Sequence, residues 1–206
     1  MSSSANRVHG TAGYAENAEA LAQQYESVTF EDIYGPLAAL VSPAGSVLDI
    51  GAGTGRDAAA LAAKGHRVLA VEPTAELRAH GQRLHPSPSL TWCDDSLPDL
   101  PRVHALDRRF DLILMTAVWM HLDTEERSRA LPRVASLLAE EGRLLMSIRS
   151  GPVPAGRRMF EVPVDELISQ AKTLELELLQ RRETGDMLGR ADVSWTLLAF
   201  QKTNGS

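Results

Sequence analysis

The chain of 206 residues contains a single cysteine, Cys93. One thiol excludes an internal disulfide and suits a reducing, cytoplasmic setting. At the end of an apolar run, Cys93 reads as a small filler and not as a nucleophile. Metal-ligand spacing of His and Cys is missing, so no metal site is expected. No apolar run approaches the roughly 20 residues of a membrane span. The opening Met1-Ser2-Ser3-Ser4-Ala5-Asn6-Arg7 lacks the apolar core of a secretory signal. Concentrated positive charge is lacking too. Lys and Arg number 21 against 27 Asp and Glu, the net charge is −6, and the basic residues are dispersed. Binding to nucleic acid or to an anionic membrane needs a positive patch, so neither partner is expected. Repeats and low-complexity tracts are also absent.

What remains is an ordinary globular composition, 44% hydrophobic and 23% charged, enough for one α/β domain with a sizeable core. Residues 1–8 read as disordered. Residues 14–45 read as helical, because Tyr14, Ala18, Leu21, Ala22 and Tyr25, then Tyr34, Leu37, Leu40 and Val41, recur at helical spacing. Ser42-Pro43-Ala44-Gly45 breaks that run. Strands and helices then alternate, which implies a parallel sheet covered on both faces. Residues 1–45 are expected to form a helical cap on a domain over 46–202. Helices are expected over Ala75–Leu84, stopped by Pro86 and Pro88, and over Val164–Thr173. Another opens at Thr124, a plausible N-cap, with Pro132 interrupting or kinking it. The last strands are expected at Leu174–Arg181 and Val193–Lys202.

The most informative stretch is Val47-Leu48-Asp49-Ile50-Gly51-Ala52-Gly53-Thr54-Gly55. A short apolar strand enters a turn of three glycines, and an amphipathic run from Arg56 to Lys64 follows at once. This is the entry unit of a nucleotide-binding α/β domain. A dinucleotide fingerprint, G-x-G-x-x-G, would need its third glycine at position 56, which is Arg56. Asp49, two places before the first glycine, would repel a pyrophosphate and suits a cationic, amine-bearing ligand.

On these residues the chain resembles the class I S-adenosylmethionine (SAM)-dependent methyltransferases, whose first motif is hydrophobic-hydrophobic-D/E-hydrophobic-G-x-G-x-G. The resemblance runs in order over roughly residues 46–150. Arg67-Val68-Leu69-Ala70-Val71-Glu72 is a second strand ending in a carboxylate, about 20 residues past the glycines, where such folds bind a ribose. Leu90 to Pro98 looks like the third motif, with either Asp95 and Ser96 or Asp94 and Asp95 meeting the adenine. Phe110 to Met115 is a strand buried on both faces. It runs into Thr116-Ala117-Val118-Trp119-Met120-His121, similar to the fourth motif, and Glu141 to Arg149 looks like the fifth strand.

The resemblance implies a doubly wound, mostly parallel seven-stranded sheet with an antiparallel last strand. It implies SAM as cofactor, S-adenosyl-L-homocysteine (SAH) as product, and methyl transfer by in-line displacement. Cofactor contacts are expected from Tyr14, Tyr25, Asp49, Gly51, Ala52, Gly53, Gly55, Glu72, Pro73, Asp94, Asp95, Ser96 and Thr116. His121 and Arg149 are the catalytic candidates. His121 would be a base with a pKa near neutrality, the competing reading being a helix cap. Trp119 would wall the acceptor pocket or sit in the core. Arg149, Arg157 and Arg158 form a basic loop able to clamp an acceptor carboxylate or phosphate, or simply to be solvated. The chain lacks the Asn/Asp-Pro-Pro-Tyr tetrapeptide of amino-methylating nucleic-acid enzymes and a basic appended domain. A small-molecule acceptor, anionic if the arginines clamp it, is therefore favoured over protein or nucleic acid. A SAM-binding regulator or pseudoenzyme is the alternative from another class. The oligomeric state is left open.

Overall fold

The computed structural model describes residues 8–41 and 44–203. The expected disorder of residues 1–7 and the break at Ser42-Pro43 lie outside the described residues. After a 3₁₀ turn at His9–Thr11 come two short helices, α1 (Ala18–Glu26) and α2 (Phe30–Tyr34), followed by a 3₁₀ segment over Gly35–Leu40. The single helical run expected there is thus divided. Thr29 ends the first part by capping α2: its hydroxyl accepts from the Asp32 amide, and the Asp32 carboxylate accepts from the Thr29 amide in return.

Alternation then follows: β1 (Ser46–Ile50), α3 (Arg56–Ala63), β2 (Arg67–Val71), α4 (Ala75–Leu84), β3 (Leu90–Cys93), α5 (Pro101–His104), β4 (Phe110–Thr116), α6 (Thr124–Leu137), β5 (Leu138–Ser150), α7 (Val164–Thr173), β6 (Leu176–Gly185) and β7 (Ser194–Lys202). The strands form one sheet in the order β3-β2-β1-β4-β5-β7-β6. Pairs from β3 to β5 are parallel. The last strand, β7, runs antiparallel between β5 and β6. The sequence reversal of strand order lies at β1 and β4, where Val47 and Asp49 pair with Leu112 and Leu114. In open sheets of this kind ligands bind beyond the carboxyl ends at that switch point.

Period-two alternation divides the core. Leu48 and Ile50 of β1 face one cluster with Ile113, Met115, Ile148, α6 and α7. Val47 faces the other, with Leu112, Leu114, Phe30, Tyr34, Leu37 and Leu61. Asp49 shares the Val47 face, so a carboxylate interrupts an apolar layer.

Two expectations about α6 are corrected. Its N-cap is Asp123, not Thr124: Asp123 accepts from the Glu126 amide, and the Glu126 carboxylate accepts from the Asp123 amide. Pro132 does not interrupt the helix, which continues to Leu137. The final strands also differ at their bounds, β6 reaching Gly185 rather than Arg181.

Candidate active site

The glycine turn joins β1 to α3. Gly51, Gly53 and Gly55 have φ of +72°, +58° and +78°, a region L side chains rarely enter. The amides of Gly51 and Ala52 both donate to the Val71 carbonyl, which pins the turn to the end of β2. A Cβ on Gly51 would meet Val118 Cγ2 at 2.5 Å, and one on Gly53 would meet the Tyr25 ring at 3.3 Å. The turn is therefore open on one side only, toward a cavity of about 790 Å³. That size is within the usual range for a cofactor and small-ligand site.

Three buried carboxylates surround the turn: Asp49, Asp57 and Glu72. Glu72 accepts from the Gly53 amide at 2.9 Å and from the Thr74 amide at 2.8 Å. Burial raises its pKa, and those bonds oppose the rise. A carboxylate has about four lone-pair sites, so acceptor capacity remains. Asp57 accepts from Arg56 Nε at 2.8 Å and Nη2 at 3.0 Å, and from Thr116 Oγ1 at 2.8 Å. Thr116 spends its proton there, so the 2.9 Å contact with Tyr34 is donated by the Tyr34 hydroxyl. Arg56, the residue that breaks the dinucleotide fingerprint, also donates to the Tyr25 carbonyl. Asp49 is 1% exposed, and its Oδ2 has no hydrogen-bond partner. Burial, then the charge of Asp57, push its pKa well above the carboxylate range, against the pull of Arg56.

Beyond β3, Asp95 and Ser96 line the cavity. Asp95 holds the chain entering α5, accepting from the Ser96 and Val103 amides at 2.9 Å each. Asp94 is outside the lining and pairs with Arg78 at 3.2 Å. Pro73 and Thr74 line the cavity after β2.

The opposite wall comes from the chain ends of β4 and β5 and from the leading segment. His121, in a 3₁₀ turn after β4, has Nδ1 2.8 Å from the Arg158 carbonyl. A carbonyl only accepts, so Nδ1 bears the proton and Nε2 is the acceptor. The hydroxyl of Tyr14, 3.0 Å from Nε2, therefore donates to it. Burial lowers the His121 pKa below its ordinary value, with help from Arg157 and Arg158. The Arg157 guanidinium lies 3.7 Å from the centre of the Tyr14 ring. His121 and Tyr14, expected to serve different ligands, are thus one hydrogen-bonded pair.

The three expected arginines divide. Arg158 is structural: it donates to Asp123 and Glu126 at 2.7 Å each and to the His121 carbonyl, tying the 151–160 loop to the α6 cap. Arg149 and Arg157 line the cavity. Trp119 is not a pocket wall; it is 1% exposed in the core beside Ile148. The loop between β6 and β7 adds residues with no sequence motif: Asp186, bound to Arg190 and to the Trp195 indole, with Met187 and Leu188. Among the described residues no cluster of side chains is suited to a metal, and no helix is long and apolar enough to cross a membrane.

The family model described as a methyltransferase domain matches residues 47–142. An uncharacterized methyltransferase of Staphylococcus carnosus is 32% identical over 102 residues, 50% of this chain and 46% of that protein. The chain spans about half the length of the curated relatives it matches. Two solved structures share the fold. One is the 1,6-didemethyltoxoflavin-N1-methyltransferase of Burkholderia thailandensis, crystallised with 1,6-didemethyltoxoflavin and SAH: TM-score 0.66, 22% identity, 94% of this chain and 92% of that one. The other is the N-methyltransferase NodS of Bradyrhizobium japonicum, with SAH: TM-score 0.69, 17% identity, 92% of this chain and 98% of that one.

Proposed function

We propose, from the match of the methyltransferase domain model to residues 47–142, that this chain belongs to that family and transfers the methyl group of SAM to a small-molecule acceptor. The observation that bears most weight is the unpartnered, buried Oδ2 of Asp49 beneath an open glycine turn. An unsatisfied buried carboxylate oxygen is costly and calls for a donor, best a cationic one. The α-ammonium of SAM is such a donor, and a pyrophosphate is the opposite. The spare lone pairs of Glu72 suit the ribose diol. Asp95 and Ser96, not Asp94, are then the adenine-side residues, and Tyr25, over Gly53, covers the methionyl portion.

Bound SAM would supply an activated methyl group on a sulfonium. The residues of this chain then have three tasks. The cavity walls hold the acceptor in line and exclude water, which can supply much of the acceleration. His121 keeps a fixed neutral tautomer through its bond to the Arg158 carbonyl. Where the acceptor must lose a proton, it passes to the Tyr14 oxygen as the Tyr14 proton passes to His121 Nε2. The lowered pKa of His121 keeps that nitrogen free to accept at neutral pH.

Calorimetry tests the reading first. SAM and SAH should bind with micromolar-range affinity, on the order typical of metabolite sites, and nicotinamide dinucleotides should not bind. Tight NAD binding without SAM binding would sink it. A mass-shift screen of metabolites with labelled SAM then finds the acceptor; SAH binding with no turnover on any metabolite would favour a SAM-binding regulator.

A further inference from the structure

Three buried polar atoms without a hydrogen-bond partner belong to residues lining the cavity: Asp49 Oδ2, Arg149 Nε and Arg157 Nη1. They separate by chemistry and by place. The Asp49 oxygen stands at the end of β1, beside the glycine turn. The two N–H groups stand at the end of β5 and in the loop after it. The cavity is thus polarised, with an acidic end built by Asp49, Asp57 and Glu72 and a basic end built by arginines.

The carboxylates at the basic end are engaged elsewhere, apart from Asp192, whose charge acts on Arg149 without forming an ion pair. Asp186 is taken by Arg190 at 2.6 Å and the Trp195 indole at 3.0 Å. Asp123 and Glu126 are taken by Arg158. Among the described residues neither Arg149 nor Arg157 forms an ion pair. The Arg149 side chain has one long bond, 3.3 Å to the Gly151 carbonyl, and Arg157 rests on the face of Tyr14. The same cavity has apolar and aromatic lining as well: Met120, Met159, Met187, Leu188 and Trp195. A guanidinium N–H buried without an acceptor costs more than an unpaired neutral donor, so this end is built for an oxyanion that arrives with the ligand.

We infer that the methyl acceptor is an amphipathic anion, an apolar or aromatic body bearing a carboxylate or comparable oxyanion that binds Arg149 and Arg157. This rests on the methyltransferase reading for the word acceptor, but the anion site itself does not. Met and Trp fit a flat or irregular apolar body without demanding one shape. The guanidinium forks select a planar oxyanion. The Tyr14–His121 pair borders the same space, so an acceptor anchored by its anion presents its remaining atoms to that pair.

The test uses the full chain saturated with SAH, and a probe set of benzoate, 2-naphthoate and octanoate, each paired with its neutral amide. Calorimetry and ligand-observed NMR read the affinities. At least one acid should bind tenfold or more tighter than its amide. Arg149→Gln and Arg157→Gln should each remove most of that preference and leave SAH affinity within twofold. Lysine at either position should restore part of it, since charge returns without the fork. Equal affinity of every acid and amide, or no binding of either, overturns the inference. So does a tenfold loss of SAH affinity in both glutamine variants with acid affinity intact, which would give the arginines to the cofactor carboxylate. If wild-type protein fails to bind SAH, the methyltransferase reading falls, and acid-over-amide selectivity in the unliganded chain still decides the anion site.

Discussion

Individual side chains here are held in states that titration can reveal. His121 is half-buried and desolvation lowers its pKa, so it is neutral across the physiological range. Turnover should be flat above the ordinary histidine value of about 6.5 and fall only at lower pH. A rate that still climbs between pH 7 and 8 would remove His121 as the base. His121→Ala and Tyr14→Phe should each lower kcat by about 10² or more with SAM affinity held, the usual size of a lost proton transfer. Asp49 gives the opposite pH sign. Its folded pKa is raised above the unfolded value of about 3.9. The unliganded protein therefore loses stability as pH rises from that value through the raised one, because the native state must then bear a buried charge. SAM affinity should rise over the same window as the carboxylate ionises. Asp49→Asn should stabilise the unliganded chain and weaken SAM by about 1–3 kcal/mol, the cost of losing a charge-assisted bond. Thermal midpoints and SAM titrations at several pH values check both halves.

Among the elements, α4 offers a test of sterics against propensity. Gly81 lies inside this helix, where alanine would ordinarily gain about 1 kcal/mol. Its Cβ would meet the Trp92 ring at 2.3 Å and the Thr54 carbonyl at 2.5 Å. Overpacking typically costs about 1–3 kcal/mol, so Gly81→Ala should lower the thermal midpoint instead of raising it. In the 151–160 loop, Arg158→Ala should both lower the midpoint and slow turnover, since Arg158 joins the α6 cap to His121; an unchanged rate would separate the loop from the site. Elements were legible in the sequence where a local signal decides them. The glycine turn was so, because the strand, turn and helix are contiguous. Pro132 does not end the helix because its cost, about 3 kcal/mol, is local. Ala130, Leu131, Val134 and Leu137 are buried on both sides of it. Each large member of that face contributes about 1.5–3 kcal/mol, while Pro132 itself faces solvent. The Tyr14–His121 pair was not legible as a pair, being 107 residues apart. Asp186, Met187 and Leu188 reach the cavity only because β7 doubles back, and nothing near them in sequence says so.

On the proposed reading SAM would bind the whole molecule at a charge-unfavourable site, which would link occupancy to stability. At 100 times its dissociation constant a ligand adds about 2.7 kcal/mol. For a domain near this size each kcal/mol shifts the midpoint by about 2–4 °C. Saturating SAH should therefore raise the midpoint by roughly 5–10 °C, and NAD should leave it unmoved; a scanning melt with both ligands settles the comparison.

The insertion of β7 between β5 and β6 also sets an order of events. During synthesis β6 is complete before β7 exists, yet its sheet pairing is with β7 alone. Strands β1 to β5 can assemble as a parallel sheet while β6 waits without a ladder, tethered only through α7. The edge of β5 stays open over the same interval, and an open edge is a template for pairing with another chain. The loop that supplies Met187 and Leu188 to the cavity, and the strand that brings Trp195, are also the last to arrive. A nascent chain can thus hold the glycine turn and the buried carboxylates in place before the cavity wall from Met187, Leu188 and Trp195 exists.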